Sequence, residues 1–181
     1  AESLLDKGET VSQVESFFRG LTNLESLRVG YKTRGRDAGV IAGRNSRFAP
    51  RPTCTAMGIM GRYWIDPRSR GRKETLKQAD LVGAAAPHSF DDAHHAFWAG
   101  LVMLHVHGPG RVLRDWGELV KKNVKEARIN DRDRCSHGSW EAKDKWACEG
   151  GRVYATAMNV MTLLVYYRYT GAIYGDASPL K

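Results

Sequence analysis

Hydrophobic residues recur at the spacing of a helix in six stretches of this chain. In the first stretch the apolar positions lie three or four residues apart, on one side of a helix: Val11, Val14, Phe17, Phe18 and Leu21. The predicted helices cover about 9–21, 53–65 and 72–82, then a fourth that begins after Ser89 or Asp91 and ends near His107, then about 112–128 and 152–169. No stretch is a convincing strand. The pattern therefore predicts an all-α fold.

The six predicted helices alternate in character. The second, fourth and sixth are apolar on nearly every side, whereas the first, third and fifth have a charged face. A helix that is apolar all round is expected to be buried. In addition, Thr-Ala-Met-Gly-Ile-Met at 55–60 is echoed by Thr-Ala-Met-Asn-Val-Met at 156–161. The sequence therefore predicts a series of αα-hairpins, each pairing an outer helix with an inner one.

The length of the chain, 181 residues, suits one domain with a sizeable core, which we expect to span residues 1–181. The longest apolar run, 153–165, contains Tyr154, Thr156 and Asn159 and is too short and too polar to cross a bilayer. We therefore expect no transmembrane segment.

Positive charge is concentrated in one stretch. The formal charge of the chain is +8, and between Arg28 and Lys73 twelve Lys and Arg residues accompany only two acidic ones. We define a basic loop, 28–52, whose basic patch comprises Arg28, Lys32, Arg34, Arg36, Arg44, Arg47 and Arg51. A solvated loop is one interpretation, and contact with an acidic protein partner or with nucleic acid is the other. Few aromatic residues accompany the charges, which disfavours single-stranded nucleic acid.

The three cysteines allow two interpretations. Cys135 and Cys148 flank a loop with two tryptophans, and a disulfide between them would contribute about 3 kcal/mol. Such a bridge requires an oxidising compartment, which favours the cell envelope or periplasm over the cytoplasm. Two free thiols are the alternative. Cys54 lies among apolar helical residues and is expected to be a small core side chain.

One motif resembles a known family. Gly138-Ser139-Trp140, followed by Gly-Gly-Arg-Val-Tyr-Ala-Thr-Ala at 150–157, is similar to the repeat of the terpenoid cyclase and protein prenyltransferase superfamily, in particular its bacterial squalene-cyclase-like, prenyltransferase-repeat group. The tail 165–169 resembles the end of such proteins. Weaker copies begin at Gly30-Tyr31 and at Asp92. The likeness covers about residues 9–170 and is specific at 138–169.

The resemblance implies a partial α/α toroid, of which this chain is the C-terminal part. In such a repeat a tryptophan stacks between hairpins and braces the loop, which assigns a structural role to Trp140, together with Tyr154 and Thr156 of the inner helix. A closed toroid of this superfamily uses about six hairpins, as the resemblance implies, and six helices make only three.

The catalytic motifs of the superfamily are incomplete here. Squalene-hopene-type cyclases carry Asp-x-Asp-Asp, and neither Asp91-Asp92 nor the pair Asp131 and Asp133 gives that pattern. Prenyltransferases bind zinc through an Asp, a Cys and a His. Matching the motifs puts Asp92 at the Asp, but His94 where the Cys would be and Ala155 where the His would be. A catalytic zinc usually has three protein ligands, so this site is expected to be broken, and no cofactor is expected.

A different metal site is the weaker interpretation of the same residues. Asp92, His94 and His95 cluster at a helix start, where such side chains can bind a metal. Acids at that position also complement the helix dipole, and histidine is a common filler.

Three functions follow from these observations. The favoured one is a non-catalytic structural or protein-interaction subunit of a larger assembly, with a protein partner or self-association, because half a ring leaves apolar helices uncovered. The second is an isoprenoid- or lipid-binding protein or a terpenoid-cyclase-like enzyme, whose cavity would be lined by Trp98, Tyr63, Trp64 and Tyr154. The third is nucleic-acid binding through 28–73.

Overall fold

The computed structural model describes residues 7–31, 51–85 and 92–169. These residues form six α-helices and no strand: α1 (Lys7–Leu21), α2 (Thr53–Ile65), α3 (Lys73–Ala84), α4 (Ala93–Val102), α5 (Arg111–Ala127) and α6 (Ala147–Leu164). A 3-10 turn, Pro67–Gly71, follows α2, and π-helical turns extend α4 over Met103–His107 and α6 over Val165–Tyr169. The all-α prediction is confirmed, and each predicted helix has its counterpart. No described helix is both long and apolar enough to cross a membrane.

Glycines explain two of the helix boundaries. Gly108 ends the π-helical turn after α4 with a φ of 69°, and Gly151 interrupts α6 with a φ of 73°. Positive φ values strain residues that carry a Cβ, so glycine is the residue suited to both places. The regular part of α6 therefore begins at Arg152, where the sequence predicts a helix start, and the preceding turn from Ala147 was not predicted.

The core is organised around α4. It packs against α2 and α6, and α3 and α5 pack on its C-terminal extension, Met103–His107. Seven of the ten residues of α4 are buried, as expected for a helix that is apolar all round. Close approach depends on small residues, because a Cβ at Gly100 would lie 2.9 Å from the hydroxyl oxygen of Tyr166.

The outer faces of α2 and α6 correct the sequence analysis. Both helices were expected to be buried on every side, but each leaves apolar side chains exposed: Met57, Trp64 and Ile65 on α2, and Val153, Val160 and Met161 on α6. The echoed hexapeptides also face different ways. Ile59 of α2 is buried, whereas Val160 at the matching position of α6 is exposed. Only part of these faces is covered, since the ring of Trp64 lies against that of Trp98 on α4.

The connection between α1 and α2 has the same hydrogen bonds as the connection between α5 and α6. In the first, the amide of Val29 donates to the hydroxyl oxygen of Thr55 (3.0 Å), and Val29 forms an isolated bridge with Thr22. In the second, the amide of Trp140 donates to the hydroxyl oxygen of Thr156 (3.4 Å), and Trp140 forms an isolated bridge with Arg128. We call these two connections the joints.

The backbone of the two joints matches further. The amide of Asn23 donates to the carbonyl of Arg28, and the amide of Ile129 donates to the carbonyl of Ser139, both at 2.9 Å. The backbone also has a positive φ two residues before Val29 and two residues before Trp140. The values are 58° at Leu27 and 82° at Gly138. The threonines of the echoed hexapeptides therefore occupy equivalent places, although the residues after them do not.

Candidate functional site

The predicted ligand residues at the start of α4 are engaged with their neighbours. The carboxylate of Asp92 accepts a hydrogen bond from the amide of His95 (2.8 Å) and so caps the helix. The ring nitrogen Nε2 of His94 accepts from the indole Nε1 of Trp98 (3.0 Å). Burial lowers the pKa of His94, against the opposing charge of Asp144. The imidazole of His94 is therefore neutral, with its Nδ1 buried.

His95 links three parts of the core. Its Nδ1 lies 3.2 Å from the hydroxyl oxygen of Thr53 on α2, and its ring lies close to the backbone of Ala85 at the end of α3. Burial, reinforced by the positive charge of Arg51, lowers the pKa of His95 to about 3. It is a neutral, buried cross-link at physiological pH. Within the three described segments, no three His, Cys, Asp or Glu residues are arranged to hold a metal ion.

Part of the predicted aromatic cavity comes together as a cluster. The rings of Trp64 and Trp98 lie 5.9 Å apart, and Phe97 packs edge-on against Trp98. The cluster continues through His94 to Trp146, at 6.0 Å. Trp64 is 58% exposed, so this cluster reaches the surface.

The other two residues of the predicted cavity have different surroundings. Tyr63 packs against the ring of His105, at 4.7 Å, rather than against the tryptophans. Tyr154 is half-buried, and burial, with the charges of Asp144 and Asp92, raises its pKa to about 12. Tyr154 is therefore a neutral phenol beside two carboxylates.

The tryptophan loop is anchored by its two tryptophans in different ways. Trp140 is 6% exposed, and its indole N–H donates to the backbone carbonyl of Val124 in α5 (2.8 Å). The resemblance assigned Trp140 a structural role in this loop. Trp146 was not singled out, yet it touches His94 and receives the ammonium of Lys145 over its ring at 5.4 Å. Asp144 orders this turn by accepting from the amides of Trp146 and Ala147. The sequence feature that could have identified Trp146 is the presence of a second tryptophan in one short loop.

None of the three cysteines forms a disulfide bond in the structure. Cys135 and Cys148 are exposed and unbridged, which corresponds to the free-thiol alternative, and Cys54 is half-buried. The thiol of Cys148 donates instead to the carbonyl of Lys145 at 3.3 Å.

The basic patch lies mostly outside the described residues. Lys32, Arg34, Arg36, Arg44 and Arg47 fall within 32–50, which the structure does not describe. Arg28 and Arg51 lie in described segments and are half-buried. The guanidinium of Arg51 reaches the carbonyl of Ala85 at 3.5 Å.

Two arginines further along the basic stretch bond to other residues of the fold. Arg62 is buried, and its guanidinium donates to the side-chain oxygen of Gln78 (2.7 Å) while burial lowers its pKa. Arg72 forms ion pairs with Glu15 and Asp66. Arg62 and Arg72 are therefore less available to a polyanion than the composition of the stretch indicates. Nucleic-acid binding through it stays a prediction.

A large groove lies between α5 and α6, and the sequence analysis did not identify it. Its volume is about 790 Å³. We call it the α5–α6 groove. Val124, Trp140 and Leu163 supply its apolar lining, and four basic residues line it as well: Lys121, Lys122, Lys125 and Arg128. Tyr167 lies at its end and is 69% exposed. The basic side chains recur at helical spacing along α5, and this spacing could have indicated a basic surface there from the sequence alone.

Comparison of the chain with protein-family profiles, with curated proteins and with solved structures gives no match. The likeness to terpenoid cyclases and prenyltransferases therefore rests on the motif residues alone.

Proposed function

We propose that this chain is a non-catalytic structural or protein-interaction module, built from three αα-hairpins in the manner of a partial α/α toroid. The observation that carries the proposal is the exposed apolar face of α6. Val153 is 84% exposed and Val160 is 44% exposed, on a helix whose opposite face is in the core. Contiguous exposed apolar side chains on a soluble protein mark an interaction surface.

The two joints support a hairpin array. Each connects an outer helix to an inner one through a threonine hydroxyl, and α4 lies between the two inner helices α2 and α6. In stacked repeats each unit covers its neighbour, so a terminal unit keeps an uncovered face. The exposed face of α6 is the face that the next unit or a partner would cover.

The polar residues at the start of α4 also fit a structural role. Asp92, His94 and His95 hydrogen bond to groups of the fold itself, and both imidazoles are neutral. Buried polar groups that bond within the fold specify a packing arrangement.

Site-specific photo-cross-linking tests the module. A photoreactive phenylalanine analogue replaces Val160 in one variant and Lys77, an exposed residue of α3, in the matched control, and each is irradiated in the cells that make the protein natively. We expect discrete protein adducts from position 160 and none from position 77. Light scattering on the purified chain then separates self-association from a foreign partner, since the monomer has a mass of 20.2 kDa. Equal labelling at both positions, or none at either, contradicts the proposal.

The aromatic cluster supports a second candidate function, binding of an isoprenoid or other apolar ligand. Trp64, Trp98 and Phe97 offer adjoining rings at the surface. Native mass spectrometry of the purified chain, before and after extraction with organic solvent, tests this function. A bound lipid that is lost in a Trp98→Ala variant but kept in a Phe17→Ala variant, which alters an exposed ring on α1, is the expected result.

A further inference from the structure

We propose that the α5–α6 groove docks an amphipathic α-helix of a partner protein, with an apolar face flanked by Asp and Glu. This inference rests on the proposed interaction function and specifies the chemistry of the partner. The lining of the groove includes none of the rings of the aromatic cluster, but it shares Trp140 and Arg128 with the α5–α6 joint.

The shape of the groove suits a helix. Along α5, Lys121, Lys125 and Arg128 are spaced four and then three residues apart, so they form one row. Beside it, Leu163 of α6 and Tyr167 of the turn after α6 lie four residues apart and form a second, apolar row. The row along α5 covers eight residues and spans about 10 Å of helix. A partner helix of two or three turns therefore fits against both rows.

The charge of the groove indicates which kind of partner helix would bind there. Four basic side chains line it, against the carboxylates of Glu118 and Glu126. Lys121 pairs with Glu118, but Lys122 and Lys125 have no ion pair within the described part of the chain. A partner that places carboxylates beside these two ammonium groups forms ion pairs with them. A basic or uncharged partner forms none. Charge complementarity of this kind selects the partner and speeds encounter.

The same side chains argue against single-stranded nucleic acid as the occupant. Polynucleotides need aromatic faces on which bases can stack. The ring of Trp140 is buried, and its N–H is already bonded to Val124. Tyr167 is exposed, but the ammonium of Lys121 lies over its ring at 5.9 Å. Leu163 offers aliphatic contact beside these side chains, which a helix with leucines on one face matches.

Binding of synthetic peptides tests the proposal. The probe is a fluorescent amphipathic helix of about 18 residues, with Leu on one face and Glu on both flanks, and the control peptide carries Lys in place of every Glu. Fluorescence anisotropy is expected to show saturable binding of the Glu peptide only. Replacing Lys122 and Lys125 together by Glu is expected to weaken that binding by about tenfold or more. Lys77→Glu on α3, which makes the same kind of change outside the groove, is expected to leave it unchanged.

Four results would overturn the proposal: equal binding of the two peptides, no binding of either, indifference to the Lys122 and Lys125 changes with circular dichroism unaltered, or displacement of the Glu peptide by a single-stranded oligonucleotide. Groove-dependent dimers of the chain alone would assign the groove to a second copy and also overturn it. If any of these is found while position 160 still gives discrete adducts, the interaction function stands and only the helix-docking inference fails.

Discussion

Trp140 is the residue that ties the tryptophan loop to the end of α5. Its indole N–H reaches the carbonyl of Val124, one of the last carbonyls of α5, which have no partner within the helix itself. The ring is buried at the same time. One side chain therefore fills volume and satisfies a backbone group, which explains why a large aromatic residue stands in a loop bounded by glycines.

Removing this ring is expected to be costly. Trp140→Ala should lower the free energy of unfolding by about 3–5 kcal/mol, because it leaves a cavity beside Val124. Trp140→Phe, which keeps an aromatic ring but loses the N–H donor, should cost less. Urea unfolding measures both, and Trp64→Ala serves as the control because its ring is mostly exposed. A Trp140→Ala variant as stable as the control would exclude the bracing role.

His95 is expected to make stability depend on pH. Its folded-state pKa is about 3, below the value of about 6.5 for an unfolded histidine. Between those values the unfolded chain binds more protons than the folded one, so the free energy of unfolding should be at its full value above pH 6.5 or so and fall as the pH drops. Urea unfolding at a series of pH values should give a shallower decline for His95→Gln than for the unmutated chain. Identical slopes would show that His95 does not titrate in this way.

At the scale of the element, helix positions were predictable and helix surroundings were not. The start and end of α2 match the prediction because Pro52 and Pro67 bound it. The exposed faces of α2 and α6 were missed because apolar periodicity identifies a side that prefers burial, not whether anything covers it. The candidate site shows the same division: the cluster of polar residues at the start of α4 was visible in sequence, but the burial that keeps its two histidines neutral was not, because it comes from packing against α2 and the tryptophan loop.

The contact between α4 and the turn after α6 depends on Gly100. A Cβ there would lie 2.9 Å from the hydroxyl oxygen of Tyr166, which is buried. Gly100→Ala is therefore expected to destabilise the fold by about 1–3 kcal/mol through overpacking. Tyr166→Phe removes the clashing oxygen, so the double variant should lose less than the sum of the single losses in a double-mutant cycle. Gly20→Ala, at a position with open space, is the control. Strict additivity would show that the hydroxyl does not set the spacing.

At the scale of the whole molecule, stability is expected to be graded from α4 outwards. Helix α4 contacts α2, α3, α5 and α6, whereas α1 packs chiefly on α2 and leaves Phe17 exposed. Helices with few buried contacts open at lower free energy. Hydrogen exchange should show the amides of α1 exchanging about tenfold faster or more than those of α4, after correction for intrinsic rates. Uniform protection across both helices would instead indicate a single cooperative unit.

The matched joints also bear on how this architecture could be engineered. The second joint has glycine at the position of positive φ, and the first has Leu27 there, at a φ of 58°. A left-handed conformation costs a residue with a Cβ about 1–2 kcal/mol. Exchanging that one residue between the joints, as Leu27→Gly, should recover part of this strain while the Leu27 carbonyl still accepts from Gln78. A melting temperature no higher than that of the unmutated chain would show that the leucine is compensated elsewhere. A higher melting temperature would show that the glycine of the α5–α6 joint can be transferred to another joint. The α5–α6 joint could then serve as a template for building longer artificial arrays.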